Sequence, residues 1–300
     1  MPHQQNLLTP RPPWLPAAFR ALARHRFLTA PQLAAVTDMP VADIAAALDG
    51  LVAERLVGKL HPTATLDGPA PEPAFALMRN GARLHAVETG EPAPPVPHAT
   101  RSLFTLAHEL AVTEVGIVLE TLHAKNAIVL RRWETSREKI AASVMLYAQR
   151  RLDRVPLVAD GYAVIERNGI LDGFLVECDR GTVSVARMQR KFAGYLAWSR
   201  EGGPEKRFGI RRLRVLVIVP NEARLARLRD AAVEATGGTG LIWFAVQADV
   251  AVTAPERFLG AVWRAARPRV DVASALFDGA TMPGAIEETS QADTPTTSAA

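Results

Sequence analysis

Apolar residues recur at helical spacing from Leu15 to Arg26, and Thr29 followed by Pro31 is a cap and first-turn signal for a short second helix through Val36. A third helix is predicted from about Val41 to Arg55, with Ile44, Leu48, Leu51 and Val52 on one face. The pattern then changes to short apolar runs at Leu56–Leu60 and Ala74–Met78, two strands flanking a loop with proline and glycine. Arg79-Asn80-Gly81 opens a further helix through Val87. Three helices followed by a two-stranded ribbon is the plan of a winged helix-turn-helix, here over residues 14–88.

Glu91–Pro97 carries four prolines in seven residues, which neither a helix nor a central strand accepts, so residues 89–100 are expected to form a linker. Beyond it, Ser102–Leu122 is a long helix with Leu106, Leu110, Val115, Val118 and Leu119 as its apolar positions. Strands are predicted at Ile128–Trp133, Leu157–Arg167, Ile170–Arg180, Leu213–Val219 and Leu241–Val246, with helices at Val183–Ser199 and Glu222–Ala235. The fold class is therefore α/β in the broad sense (α+β), a small helical module followed by a mixed sheet flanked by helices over residues 101–280. Residues 1–13 and 281–300 show no period and are expected to be disordered tails.

The segment from Val155 to Thr182 is the most informative. Asn168-Gly169 is the preferred pair for a two-residue hairpin loop, because both positions take positive φ. If Arg167 faces Ile170, the register brings Asp160 opposite Glu177, with Asp179 on the same face and Cys178 on the other. Two opposed carboxylates repel, and something must offset that cost: a divalent cation such as Mg²⁺ or Mn²⁺, arginine partners such as Arg154 or Arg180, or solvent at a strand end. In the next helix Val185, Met188, Phe192 and Leu196 make a buried stripe, bordered by Arg187, Lys191, Tyr195 and Trp198. Lys191 thus either sits beside the acids, where it can orient water or stabilise charge developing on a phosphodiester, or snorkels into solvent.

Charge adds a partner class. Between Arg131 and Arg214 eighteen basic side chains stand against ten acidic ones, a surplus suited to a polyanion such as double-stranded DNA, or else a solvated basic surface. The first module is balanced. Its third helix offers Asp43, Asp49 and Glu54 before Arg55, a poor match to phosphate, although Lys59, Arg79 and Arg83 can reach a backbone; DNA binding and protein docking both stay open for it.

Several classes are excluded. The single cysteine, Cys178, rules out a disulfide framework and reads as a small buried residue. The seven histidines (His3, His25, His61, His85, His98, His108, His123) lack ligand spacing, which argues against a tyrosine relaxase with a histidine-held metal. There is no phosphate-binding GxxxxGK[ST] loop and no GxSxG elbow. No long apolar span or secretion signal is visible, so a cytoplasmic protein without membrane association is expected.

Val-Ala-Asp160-Gly, Leu-Val-Glu177-Cys-Asp179-Arg180-Gly-Thr182 and Lys191-Phe-Ala-Gly-Tyr195, with Leu-Ala-His108-Glu109-Leu and Arg79-Asn80-Gly81-Ala82 upstream, resemble the replication-relaxation family of plasmid mobilisation proteins, the MobC-like proteins. The resemblance covers roughly residues 14–270. It implies a winged helix ahead of a PD-(D/E)XK nuclease-like domain, with Asp160, Glu177 and Lys191 catalytic and Asp160, Glu177 and Asp179 holding Mg²⁺ or Mn²⁺. Tyr195 and Thr182 would support them. DNA contacts would come from Lys59, Arg79, Arg180, Arg187, Arg190, Arg211 and Arg212. The chain departs from the nuclease pattern at Ala159, where proline is usual, and at Asp179, where lysine is usual; Lys191 then replaces that lysine from the helix, or the site binds DNA without cutting it. The function implied is a DNA-binding accessory protein of plasmid mobilisation or replication with a relaxase or replication protein as partner. The alternative is a non-catalytic regulator that docks such a protein.

Overall fold

The computed structural model describes residues 12–62, 72–96, 103–148, 151–269 and 272–277. Residues 1–11 and 281–300 of the expected tails, residues 63–71 and the end of the proline-rich stretch lie outside these residues.

The first module runs α1 (Leu15–His25), β1 (Leu28–Thr29), α2 (Ala30–Thr37), α3 (Val41–Ala53), β2 (Val57–Leu60), β3 (Ala74–Leu77) and α4 (Arg79–Thr89). Thr29 caps α2 as its position before Pro31 predicts: its hydroxyl accepts from the Gln32 backbone N–H, and the Gln32 side chain accepts from the Thr29 N–H at 3.0 Å. Sequence periodicity does not reveal β1. It is only two residues long and completes a sheet of order β1-β3-β2. Residues 91–96 are irregular, and Glu91 is tied back to Arg20 at 3.2 Å and to His85 at 3.5 Å.

The rest of the chain continues with α5 (Leu103–Ala124), β4 (Val129–Glu134), α6 (Arg137–Ile140), β5 (Ala142–Ala148), β6 (Arg151–Leu157), β7 (Gly161–Arg167), β8 (Ile170–Cys178), α7 (Val185–Arg200), α8 (Gly203–Phe208), β9 (Arg212–Val219), α9 (Glu222–Thr236), β10 (Ile242–Val246) and β11 (Arg264–Ala265). A six-stranded mixed sheet has the order β11-β10-β9-β8-β7-β4, with β8, β9 and β10 parallel to one another and the remaining pairs antiparallel. The parallel pairs need crossovers, which α7–α8 and α9 supply.

Residues of alternate parity separate the two faces. Ala163, Ile165, Phe174, Val176 and Cys178 share one apolar core with α5 and with the first module, so that core is continuous from α1 to the sheet. Tyr162, Val164, Leu175, Val215 and Val217 face the other way, against α7 and α9. Gln32 of α2 fixes the junction by donating to Leu110 O at 3.1 Å and to Glu114 of α5 at 2.6 Å.

The structure corrects two sequence expectations here. The strand predicted to begin at Leu157 begins at Gly161, because residues 158–160 turn the chain out of one sheet and into another. The second is a missed antiparallel ribbon, β5–β6, laid across α7. Charged residues and Pro156 hide β6 in the sequence, a pattern tolerated because β6 pairs on only one side. The ribbon and α8, whose Phe208 ring meets Trp198, together explain why α7 is more buried than its stripe predicted. Tyr195 is 1% and Trp198 6% exposed, and Gly194 lies so close to Val155 and Leu157 that a side chain there would collide with them.

Candidate active site

The predicted hairpin register is the observed one. Arg167 pairs with Ile170 and Gly161 with Val176, with Asn168 and Gly169 at positive φ in the turn. This brings Asp160 to the end of β7 beside Glu177 near the end of β8, on the face that carries α7. Both line a cleft of about 930 Å³ together with Lys191.

Glu177 is 4% exposed and is held at both oxygens. Lys191 Nζ donates to Oε2 at 2.6 Å and to the Val158 carbonyl at 2.7 Å, and the Tyr195 hydroxyl donates to Oε1. One helical turn separates Lys191 from Tyr195, which is why a single helix can grip both oxygens. Burial raises the Glu177 pKa; Lys191 opposes that rise and the charge of Asp160 adds to it. Burial, and then the Glu177 charge, hold the Tyr195 phenol protonated well above its usual range.

Asp160 is held from two sides. The Cys178 backbone N–H donates to Oδ2 at 2.8 Å, and His108 Nε2 lies 3.1 Å from Oδ1. The hydrogen bond to Asp160 raises the His108 pKa, against the opposing effect of partial burial. Sequence reasoning set His108 aside for want of ligand spacing, yet α5 carries it across the fold to the hairpin. The only sequence signal was the Leu-Ala-His108-Glu109-Leu segment. Cys178 is buried on the opposite face, and burial together with Asp160, Glu177 and Asp179 pushes its thiol well up.

Asp179 lines the cleft with an arginine on its carboxylate. It was expected as a third cation ligand, but Arg224 of α9 binds it with two bonds, Nε to Oδ2 at 2.7 Å and Nη2 to Oδ1 at 3.0 Å, and the Gly181 N–H also donates to Oδ2. Both side chains of this pair are almost fully buried. Arg224 further donates to Val183 O, so it holds the β8–α7 connection in place. Among the described residues no three His, Cys, Asp or Glu side chains gather as a metal site, which leaves the two carboxylates Asp160 and Glu177. Thr182 is exposed and lines the cleft.

The predicted basic strip divides. Arg180, Arg187 and Arg190 line the cleft, as does Arg154, with Arg190 bound to Asp153 at 2.9 Å and Arg154 to Ser143 at 3.1 Å. Arg212 lies at the other end of the sheet, bound at 2.7 Å to buried Asp172, five residues or roughly 17 Å along β8 from Glu177. Arg211 is bound to Glu205 at 2.8 Å on that distant side. Neither reaches the cleft, because β9 enters the sheet where β8 begins. In the first module Lys59 lies 3.8 Å from Asp49 and over the Phe75 ring, and Arg79 is exposed at the start of α4.

The sequence model of the replication-relaxation family matches residues 19–212. The chain belongs to the replication-relaxation family. The matched stretch contains His108, Asp160, Glu177, Lys191 and Tyr195, whereas Arg224 lies beyond it. No curated protein matches this replication-relaxation chain. Among solved structures it is similar to the restriction endonuclease FokI bound to DNA, at 9% identity and a TM-score of 0.31, covering 81% of this chain and 44% of that one. It is also similar to a second structure of the restriction endonuclease FokI, at 11% identity and a TM-score of 0.28, covering 81% of this chain and 43% of that one. The family member thus spans less than half the length of that endonuclease, and likeness at these scores carries no functional inference. Among the described residues no helix is long and apolar enough to cross a membrane.

Proposed function

We propose that this family member is a DNA-binding protein of replication or mobilisation whose cleft grips a phosphodiester backbone and, with Mg²⁺ or Mn²⁺, cuts it. The observation that supports the reading best is Lys191 bonded to Glu177, beside Asp160, in a cleft rimmed by Arg154, Arg180, Arg187 and Arg190. Cations around the rim of this cleft suit a polyanion, and the acids that line it do not. Those acids need another role.

The donor set fits a hard divalent ion. Asp160 and Glu177 offer only oxygens, and each carboxylate keeps lone pairs beyond those its protein donors occupy; Lys191 already offsets part of their repulsion, and a divalent ion would offset the rest. Such an ion would supply Lewis acidity toward the phosphodiester. The chain's own groups do the rest. Lys191, held at Glu177 Oε2 and Val158 O, keeps an ammonium where negative charge develops on the phosphorus oxygens. Tyr195 fixes the Glu177 rotamer, and His108 with the Cys178 N–H fixes Asp160, so neither acid reorganises when substrate arrives. The cleft arginines hold the backbone in register.

The test is nicking of supercoiled plasmid by the purified protein with Mg²⁺ or Mn²⁺. Cutting should vanish in Glu177→Gln and Lys191→Ala while DNA binding persists. Wild-type protein that binds DNA and cuts it with neither ion refutes the catalytic half. For the first module, the outward side of α3 exposes Asp43, Asp49 and Glu54, which favours docking of a protein such as a relaxase or replication protein over groove insertion.

A further inference from the structure

The β5–β6 ribbon turns an apolar face to water. Its inward residues Val144, Val155 and Leu157 are buried, but Met145, Tyr147 and Leu152 are 47%, 74% and 60% exposed. The register sets Tyr147 directly opposite Leu152 and Met145 opposite Arg154, so the four make one contiguous patch. Large apolar side chains gathered on one solvated face are a cost that folding does not require, and they mark a contact surface. Arg154 and Pro156, from the same outward row of β6, wall the cleft. The Tyr147–Leu152 pair is therefore two residues, about 7 Å, from a cation of the cleft rim.

From this placement we infer that the ribbon's outer face is a platform for unpaired bases: a single DNA strand stacks bases on Tyr147 and Leu152 while its backbone runs past Arg154 into the cleft. The inference rests on the cleft gripping a nucleic-acid backbone and names the form of the substrate. Charge decides for this occupant, since the cation within the patch is Arg154 and the rim beyond it adds Arg187 and Arg190. An exposed ring joined to a basic groove is the arrangement that binds single strands without sequence preference. Bases inside a duplex are already stacked and give such a ring nothing to cover.

Fluorescence anisotropy with a labelled oligothymidylate and a labelled blunt duplex of equal length tests it. Tyr147→Ala should weaken oligothymidylate binding about fivefold or more and leave duplex binding unchanged, because one stacked base contributes on that scale. Tyr147→Phe should keep wild-type affinity, since the ring and not the hydroxyl makes the contact. Tyr147 lies outside the core, so folding is not at stake. Equal loss for both probes, or loss for neither, overturns the inference; the second is what a protein-covered ribbon gives. A wild-type chain that binds the duplex through Arg187 but not oligothymidylate overturns the ribbon inference alone. One that binds neither probe overturns the cleft reading as well.

Discussion

Replacing Arg224 with methionine should destabilise the protein severely. Arg224 and Asp179 are almost fully buried and joined by two bonds of 2.7 and 3.0 Å, and Arg224 also donates to Val183 O. Removing the guanidinium leaves the Asp179 carboxylate in the interior with the Gly181 N–H as its remaining bond described above. Breaking one partner of a buried pair costs about 3–5 kcal/mol, because the surviving charge has neither water nor a counter-ion. At about 2–4 °C per kcal/mol for a domain of this size, the melting temperature should fall on the order of 10 °C. Urea unfolding followed by tryptophan fluorescence measures the same change. Pairing Arg224→Met with Asp179→Asn removes the stranded charge and should recover at least about 2 kcal/mol, since losing both partners is far milder than losing one. The reasoning fails if Arg224→Met unfolds within about 1 kcal/mol of wild type. It also fails if Asp179→Asn abolishes divalent-cation binding with the urea midpoint unchanged, which would return Asp179 to the ligand set.

Three further outcomes are expected. In Gly161→Ala the new Cβ would meet the Trp133 ring at 2.3 Å, so this substitution next to Asp160 should cost about 1–3 kcal/mol by overpacking; Trp133→Leu in the same chain should relieve it in thermal melts. Thr29→Ala, which removes the α2 cap, should cost about 1 kcal/mol in the same assay. Burial, and then Arg24, lower the His25 pKa from 6.5 to about 4. Below 6.5 the unfolded chain takes up a proton that the folded chain refuses, so this contribution is full above pH 6.5 and disappears as pH falls toward 4. Discounted for partial exposure it is about 2 kcal/mol, and His25→Gln should flatten the urea-midpoint profile across that window.

The site was legible where it depends on local geometry. Asn168-Gly169 sets the turn, the turn sets the register, and the register brings Asp160 to Glu177; the period of α7 then aligns Lys191 with Tyr195. What stayed hidden depends on contacts distant in sequence. His108 meets Asp160 across fifty-two positions and Arg224 meets Asp179 across forty-five, and no periodicity encodes such pairs. The β5–β6 ribbon was missed because Pro156, Arg154 and Asp153 interrupt the apolar pattern of a strand, although alternate residues Val144, Val155 and Leu157 supply the buried row. Arg211 and Arg212 were named as DNA contacts together with Arg180, Arg187 and Arg190, whereas the parallel strand β9 carries them to the opposite end of the sheet from the cleft.

Salt dependence of DNA affinity tests the central claim most directly, because it counts phosphates and not merely binding. The logarithm of the association constant for duplex DNA should fall linearly with the logarithm of salt concentration, and Arg187→Ala should reduce the slope by about 0.9, one phosphate contact. Arg211→Ala, far from the cleft, should leave it unchanged. A slope near zero, or one that Arg211→Ala lowers and Arg187→Ala does not, would contradict the assignment of the cleft to a nucleic-acid backbone.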